Sequence, residues 1–180
     1  MSNKLASSAI VLSKHYYADA DAIVTLFTSD YGKLSAVAKG IKKPSSRKRG
    51  NLESASLIRF SAVQTKNLPI LTEVESLNNF MDIRSDLSKM SLAYYLLELV
   101  NKTSMDEEEN NELFNLLKQY LEELNTGRAS QKRRLRYAKK ILSVQGFWDN
   151  DKDLADLDTA IESLIERKIN SVRIAQKMLY

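Results

Sequence analysis

"AIVTLFTSDYGKLSAVAK", Ala22 to Lys39, is the stretch whose reading decides the fold. Ala22–Thr28 is a short apolar run rich in β-branched residues, the composition of a strand. Lys33–Lys39 alternates, with Leu34, Ala36 and Ala38 on one face. Between them "SDYG" places Gly32 where a hairpin loop wants a positive φ. The unit therefore predicts two consecutive strands joined by a tight turn.

Working outward, three more short runs carry the same signal: "AIVLS" (Ala9–Ser13), "SLIRFSAV" (Ser56–Val63) and "PILTEVE" (Pro69–Glu75). Five strands within the first ~75 residues suit a five-stranded OB-fold barrel, and an SH3-like barrel has a similar strand count. The pattern alone does not separate the two. After Phe80 the period changes to 3.6. Asp86–Lys102 is apolar nearly all round, with Leu87, Met90, Ala93, Tyr94, Leu97 and Val100 on one stripe. That predicts a buried central helix. Asn111–Leu124 repeats the pattern, and Ser104 and Glu107 have capping-box spacing before it. Gly127 supplies its stop. A third helix over Ser130–Gln145 ends at Gly146, with Phe147 placed to fold back on it. A fourth is expected over Leu154–Lys168, and a last short one after Ser171. Strands first and helices afterwards argue for an α+β chain: a barrel over 1–80 and an all-helical domain over 81–180.

Charge is localised. The 180 residues carry a formal net charge of +4, yet the window Tyr31–Leu52 carries +7 and no acid, leaving the remainder net negative. Most of this charge lies in "KGIKKPSSRKRGN" (Lys39–Asn51), between the third and fourth strands. Such a run is solvated unless something anionic lies against it. Its ordinary reading is a solvated loop; its functional reading is a phosphate-binding element. A second acid-free run, "GRASQKRRLRYAKK", lies in the helical part. Lys132, Arg136 and Lys139 or Lys140 recur there at helical spacing, with Arg133 beside them and Leu135, Ala138 and Leu142 expected to face a core. Pairing with acids of a neighbouring helix, such as Glu122 or Glu123, is the plain alternative.

Catalysis has little to work with. There is no cysteine and one histidine, His15, so thiolate and His-cluster metal sites are excluded. No phosphate-cradling glycine motif occurs. The cluster Asp106, Glu107, Glu108 and Glu109 reads as the acidic first turn of a helix. Asp19 and Asp21 read as a turn, and a metal-dependent nuclease would need more converging carboxylates. A non-enzymatic protein is expected. The start lacks the apolar stretch of a signal peptide and no segment is long enough to span a membrane, so a soluble, cytoplasmic (nucleoid-associated) protein is expected.

Binding has more. "SKHYYADAD" (Ser13–Asp21) brings Lys14, Tyr16 and Tyr17 into the loop between the first two strands. "QTKNL" (Gln64–Leu68) puts Lys66 between the fourth and fifth. On an OB barrel these two loops flank the ligand face. Cations attract the phosphate backbone and aromatic rings accept unpaired bases. The candidate interface is Lys14, Tyr16, Tyr17, Lys39, Lys42, Lys43, Arg47, Lys48, Arg49 and Lys66. Lys132, Arg133, Arg136, Lys139 and Lys140 form a second group.

The stretch "AIVTLFTSDYGKLSAVAKGIKKPSSRKRGNLESASLIRF" resembles the N-terminal domain of the RecO family of bacterial DNA repair proteins. Tyr17, Ala20, Asp21, Val24, Leu26, Phe27 and Thr28 match its opening pattern, with Ala18 where glycine is usual. Gly32, Lys33, Ala38, Lys39, Gly40, Lys42, Lys43, Pro44, Arg47, Gly50 and Leu52 continue it. "LPILTEVESLNNF" and "SLAYYLLELVNK" resemble the segments that follow, and "INSVRIAQKML" is more loosely similar to the C-terminal one. The resemblance implies an OB-fold followed by helices, binding to single- and double-stranded DNA, and annealing of complementary strands. It also implies work with RecR, RecA and single-strand-binding protein, whose acidic tail the cations could dock. Many members carry a four-cysteine zinc module. Here Gly146-Phe147 is followed by "WDNDKDLADLD" without cysteine, and Leu52-Glu53-Ser54 replaces a usual Leu-x-Pro. No zinc is expected, and contacts made through that module are not carried over.

Overall fold

The computed structural model describes residues 4–17, 20–43, 46, 50–149 and 157–165. Five strands form a closed barrel in the order β1-β2-β3-β5-β4: β1 Lys4–Tyr16, β2 Ala22–Thr28, β3 Gly32–Ala38, β4 Leu57–Val63 and β5 Ile70–Asn78. Neighbours pair antiparallel, except that β3 meets β5 in parallel at Val37 and Ile70. This is the five-stranded closure of an OB-fold.

β1 begins five residues before the expected Ala9 and is 13 residues long. Its first half pairs with β4, Lys4 opposite Val63 through Ile10 opposite Leu57. Its second half pairs with β2, Ala9 opposite Thr28 through Tyr16 opposite Ala22. The register shifts between Val11 and Ser13. An extra residue of this kind bends a strand and raises its twist, so one strand serves both neighbours. Residues 4–8 carry little strand propensity; β4 pairs them into the sheet.

Alternation points Ala9, Val11, Ala22, Val24, Leu26, Leu34, Ala36 and Ala38 into one core with Ile58, Phe60, Ala62 and Leu71. Ile41 and Leu52, fully buried, belong to the same core. The basic segment is thus anchored at both ends by a buried aliphatic side chain, each worth about 1.5–3 kcal/mol of burial. Its return is also fixed on β1, where Ala55 N–H donates to Val11 O at 2.9 Å and Val11 N–H to Ser56 O at 3.0 Å. The β2–β3 turn holds Gly32 at φ 63, as its position predicts.

The chain separates into two compact units: Met1–Asn79 with Met105–Phe114, and Phe80–Ser104 with Asn115–Tyr180. The helices are α1 Met81–Arg84, α2 Leu87–Thr103, α3 Asn111–Thr126, α4 Gln131–Val144 and α5 Leu157–Ile165. Asp86 caps α2, accepting from Ser88 N–H at 2.8 Å and Lys89 N–H at 3.0 Å. α2 buries Leu92, Ala93, Tyr95, Leu96, Leu97, Leu99 and Val100, and α4 and α5 pack on it. Leu87 and Tyr94, expected on its buried stripe, are exposed.

The expected capping box at Ser104 and Glu107 does not form. Ser104 closes α2, its N–H donating to Val100 O, and Glu107 sits at φ 58. The cap of α3 is Asn110, whose Oδ1 accepts from Leu113 N–H at 2.9 Å. Helix α4 starts at the Ser130 cap. It ends with Gly146 at φ 75, Gly146 N–H bonding Ser143 O and Phe147 N–H bonding Leu142 O. That is the Schellman pattern. The backbone folds back as expected, but Phe147 is exposed and Trp148 is the buried ring. The remainder of the expected fourth helix and the short one after Ser171 lie outside the described residues. No helix among those described is long and apolar enough to cross a membrane.

Candidate nucleic-acid interface

The register gathers three loops around the C-terminal end of β3. Ala22 faces Ala38, which brings in the β1–β2 loop. Val37 faces Ile70, and Val37 N–H donates to Pro69 O at 2.8 Å, which brings in the β4–β5 loop. The basic segment leaves from the same end at Lys39. Asp21 ties the first two together: its Oδ1 accepts from Gly40 N–H at 2.8 Å, and Lys42 N–H donates to Ala20 O at 3.1 Å. Asp21 is therefore a positioning residue for the start of the basic segment.

Tyr16 and Tyr17, at the end of β1, are 48% and 55% exposed. Large rings left half open at a loop-bearing barrel end are available to a partner. The Lys42 ammonium stands 4.8 Å from the Tyr16 ring centroid and the Lys14 ammonium 5.5 Å, within cation–π range. Lys39, Lys42 and Lys43 are exposed, as is Lys66 in the β4–β5 loop. Lys14 differs. Its Nζ lies 2.6 Å from Glu53 Oε1 and its side chain is only 9% exposed. It fastens the returning arm of the basic segment to β1, so its charge is already answered. Arg47, Lys48 and Arg49 lie outside the described residues.

The α4 cations divide. Arg134 is fully buried and forms a two-pronged pair with Asp158, both bonds 2.7 Å. It also donates to Gln131 at 2.9 Å and stands 5.3 Å from the Tyr95 ring centroid. Arg136 donates to Glu123 at 2.6 Å, beside the Tyr137 hydroxyl donating to the same carboxylate at 2.9 Å. Burial pushes the Glu123 carboxyl up, but hydrogen bonds from Gln119, Tyr137 and Arg136 outweigh it and hold it below its ordinary value. Arg133 donates to Glu123 O at 3.2 Å, closing the end of α3. A side chain at Gly127 would collide with that guanidinium. Lys132 and Lys140 are exposed, and Lys139 is half-buried. The continuous exposed stripe is therefore corrected: Arg136 takes the interhelical pairing with Glu123, and Leu135 is half-buried rather than in the core. Asp158, three turns of sequence beyond any α4 acid, carries no spacing signal that could have revealed the Arg134 pair.

Zinc does not fit this chain. It has no cysteine, and no group of three or more His, Asp or Glu among the described residues could hold a metal ion.

Residues 1–80 match the family described as recombination protein O N terminal, and residues 84–148 match recombination protein O C terminal. The chain is 34% identical over 143 residues to the DNA repair protein RecO of Syntrophus aciditrophicus, across 78% of this chain and 55% of that one. It is 33% identical over 162 residues to that of Geobacter metallireducens, across 90% of this chain and 66% of the relative. With that of Shouchella clausii it shares 35% over 123 residues, 68% and 48% of the two chains. It thus spans about half to two thirds of the length of these relatives. With both its barrel and its helices matched in order, the chain belongs to the recombination protein O family.

Proposed function

We propose that the loop-bearing end of the barrel binds DNA and that the protein acts without catalytic chemistry, as a mediator that anneals complementary single strands in recombinational DNA repair. The observation that carries this reading is the meeting of two half-exposed tyrosines with exposed lysines at one end of β3: Tyr16 and Tyr17 with Lys39, Lys42 and Lys43. Lysines take phosphates and the rings take unpaired bases. Neutralising phosphates on two strands at once lowers the repulsion that keeps them apart, which needs neither ATP nor a catalytic side chain. The family relatives named as DNA repair proteins support the reading.

The test is a salt series of single-strand binding with an annealing readout. Affinity should fall with salt at a log–log slope of about −0.7 per phosphate contacted, and annealing should fall with it. Binding that ignores salt, or specific cleavage products with DNA and Mg²⁺, would overturn the proposal.

A second reading rests on exposed Lys132 and Lys140 of α4. They suit an acidic peptide such as the tail of single-strand-binding protein, one of the partners, with RecR and RecA, that the family resemblance implies. An acidic peptide that displaces an oligonucleotide would mean one shared surface; simultaneous binding would mean two.

A further inference from the structure

The outer face of strands two and three is where an OB-fold receives its ligand, between the two flanking loops. Alternation puts Ile23, Thr25 and Phe27 of β2 and Lys33, Ser35 and Val37 of β3 on that face, paired across the ladder. One end of it is already covered. Phe27 is fully buried although its neighbours Val24 and Leu26 supply the barrel core. The ring above it is Phe114, centroid to centroid 6.5 Å. Next to it, Asp106 reaches Lys33 at 3.2 Å, and the lysine side chain is only 15% exposed while the aspartate is 80% exposed. Glu107 N–H donates to Lys33 O at 2.9 Å, and Lys33 and Asp106 form a parallel bridge. Contact is so close that a Cβ on Gly32 would lie 1.9 Å from the Glu108 carbonyl oxygen. The covering segment, Met105–Phe114, belongs to the barrel unit and carries Asp106, Glu107, Glu108 and Glu109, all exposed.

We propose that this acidic segment is a stop on the nucleic-acid path: it occupies the β2–β3 turn end of the ligand face, answers Lys33 with a carboxylate in place of a phosphate, and confines DNA to the basic end. The inference rests on the DNA-binding reading above. β3 has seven residues, so the two ends stand roughly 20 Å apart at ~3.3 Å per residue. The screening length at physiological salt is about 8 Å. The segment therefore acts by local exclusion and leaves the attraction of the distant lysines intact. A DNA that reaches along the face meets it; a short one does not.

The test compares two pairs of substitutions with the same change in net charge. Asp106→Asn/Glu107→Gln removes acids from the segment; Glu73→Gln/Glu75→Gln removes acids from β5, where both are exposed. Binding is measured with single strands of about 4 and about 16 nucleotides, the limits of OB-fold site size. The segment pair should tighten binding of the longer strand by roughly three- to fivefold. It should also steepen its salt slope by about 0.7, one phosphate gained by Lys33. The short strand should be unaffected, and the β5 pair should change neither. Equal gains from both pairs, gains on both lengths, or no gain would overturn the stop. Absence of salt-dependent binding in the unaltered protein would overturn the DNA reading itself and the stop with it.

Discussion

Removing Asp158 should cost the helical unit far more than an exposed ion pair would. Arg134 has no exposed surface, and its guanidinium is held by Asp158, Gln131 and the face of Tyr95. Asp158→Ala leaves that charge buried with one neutral acceptor. Breaking a buried pair from one side costs about 3–5 kcal/mol. The Asp158 side chain is 31% exposed, so water can partly take its place, which favours the lower end, about 3 kcal/mol. With a urea m-value of ~2 kcal/mol per M, the midpoint should drop by roughly 1.5 M. Trp148, the sole tryptophan and 5% exposed in the same unit, reports the transition by fluorescence. Arg134→Met/Asp158→Leu removes both charges together and should stay within about 1 kcal/mol of the unaltered protein. The double variant should also keep the salt slope of DNA binding, because Arg134 cannot reach a phosphate. A loss below ~1 kcal/mol for Asp158→Ala would refute the reasoning, since that is the cost of a pair fully open to water.

Other consequences can be measured directly. Tyr16→Ala should weaken single-strand binding by about 1–3 kcal/mol if the ring carries one base, with Tyr16→Phe restoring it and duplex binding changed less; equal losses on both forms of DNA would argue against stacking. Glu123 has its carboxyl held below the ordinary value of ~4.3. Its contribution to stability is therefore present above that value and is lost as the pH falls through the lowered one. In acid unfolding, Glu123→Gln should flatten this limb, and parallel losses in both proteins would contradict the assignment. Asn110→Ala should cost about 1 kcal/mol through the lost cap of α3, whereas Ser104→Ala should not unseat that helix start; denaturant titration of the two variants separates the caps.

Local rules made the barrel legible. β2 and β3 alternate cleanly, and Gly32 has the φ that its turn requires. What escaped depends on partners distant in the chain. Residues 4–8 join β1 because β4 pairs with them. Ile41 and Leu52 look like loop residues but plug the core. Arg134 resembles its cationic neighbours, yet Asp158 draws it inward. Serine and glutamate at capping-box spacing met a segment that runs on along β3 to Asn110. At the candidate interface, the cluster of Tyr16, Tyr17, Lys39, Lys42 and Lys43 follows from topology that strand order alone suggests. The commitment of Lys14 to Glu53 does not, because nothing in their spacing links residues so far apart.

Whether the basic end of the barrel grips the phosphate backbone is settled most directly by one comparison of salt slopes. Lys42, Lys43, Arg47 and Arg49 are replaced together by alanine, and single-strand affinity is measured across a salt series beside the unaltered protein. Four contacts at about 0.7 each predict a slope flatter by roughly 2–3 units, with slower annealing in step. A slope unchanged within error would contradict the account, because it would mean that these cations meet no phosphate.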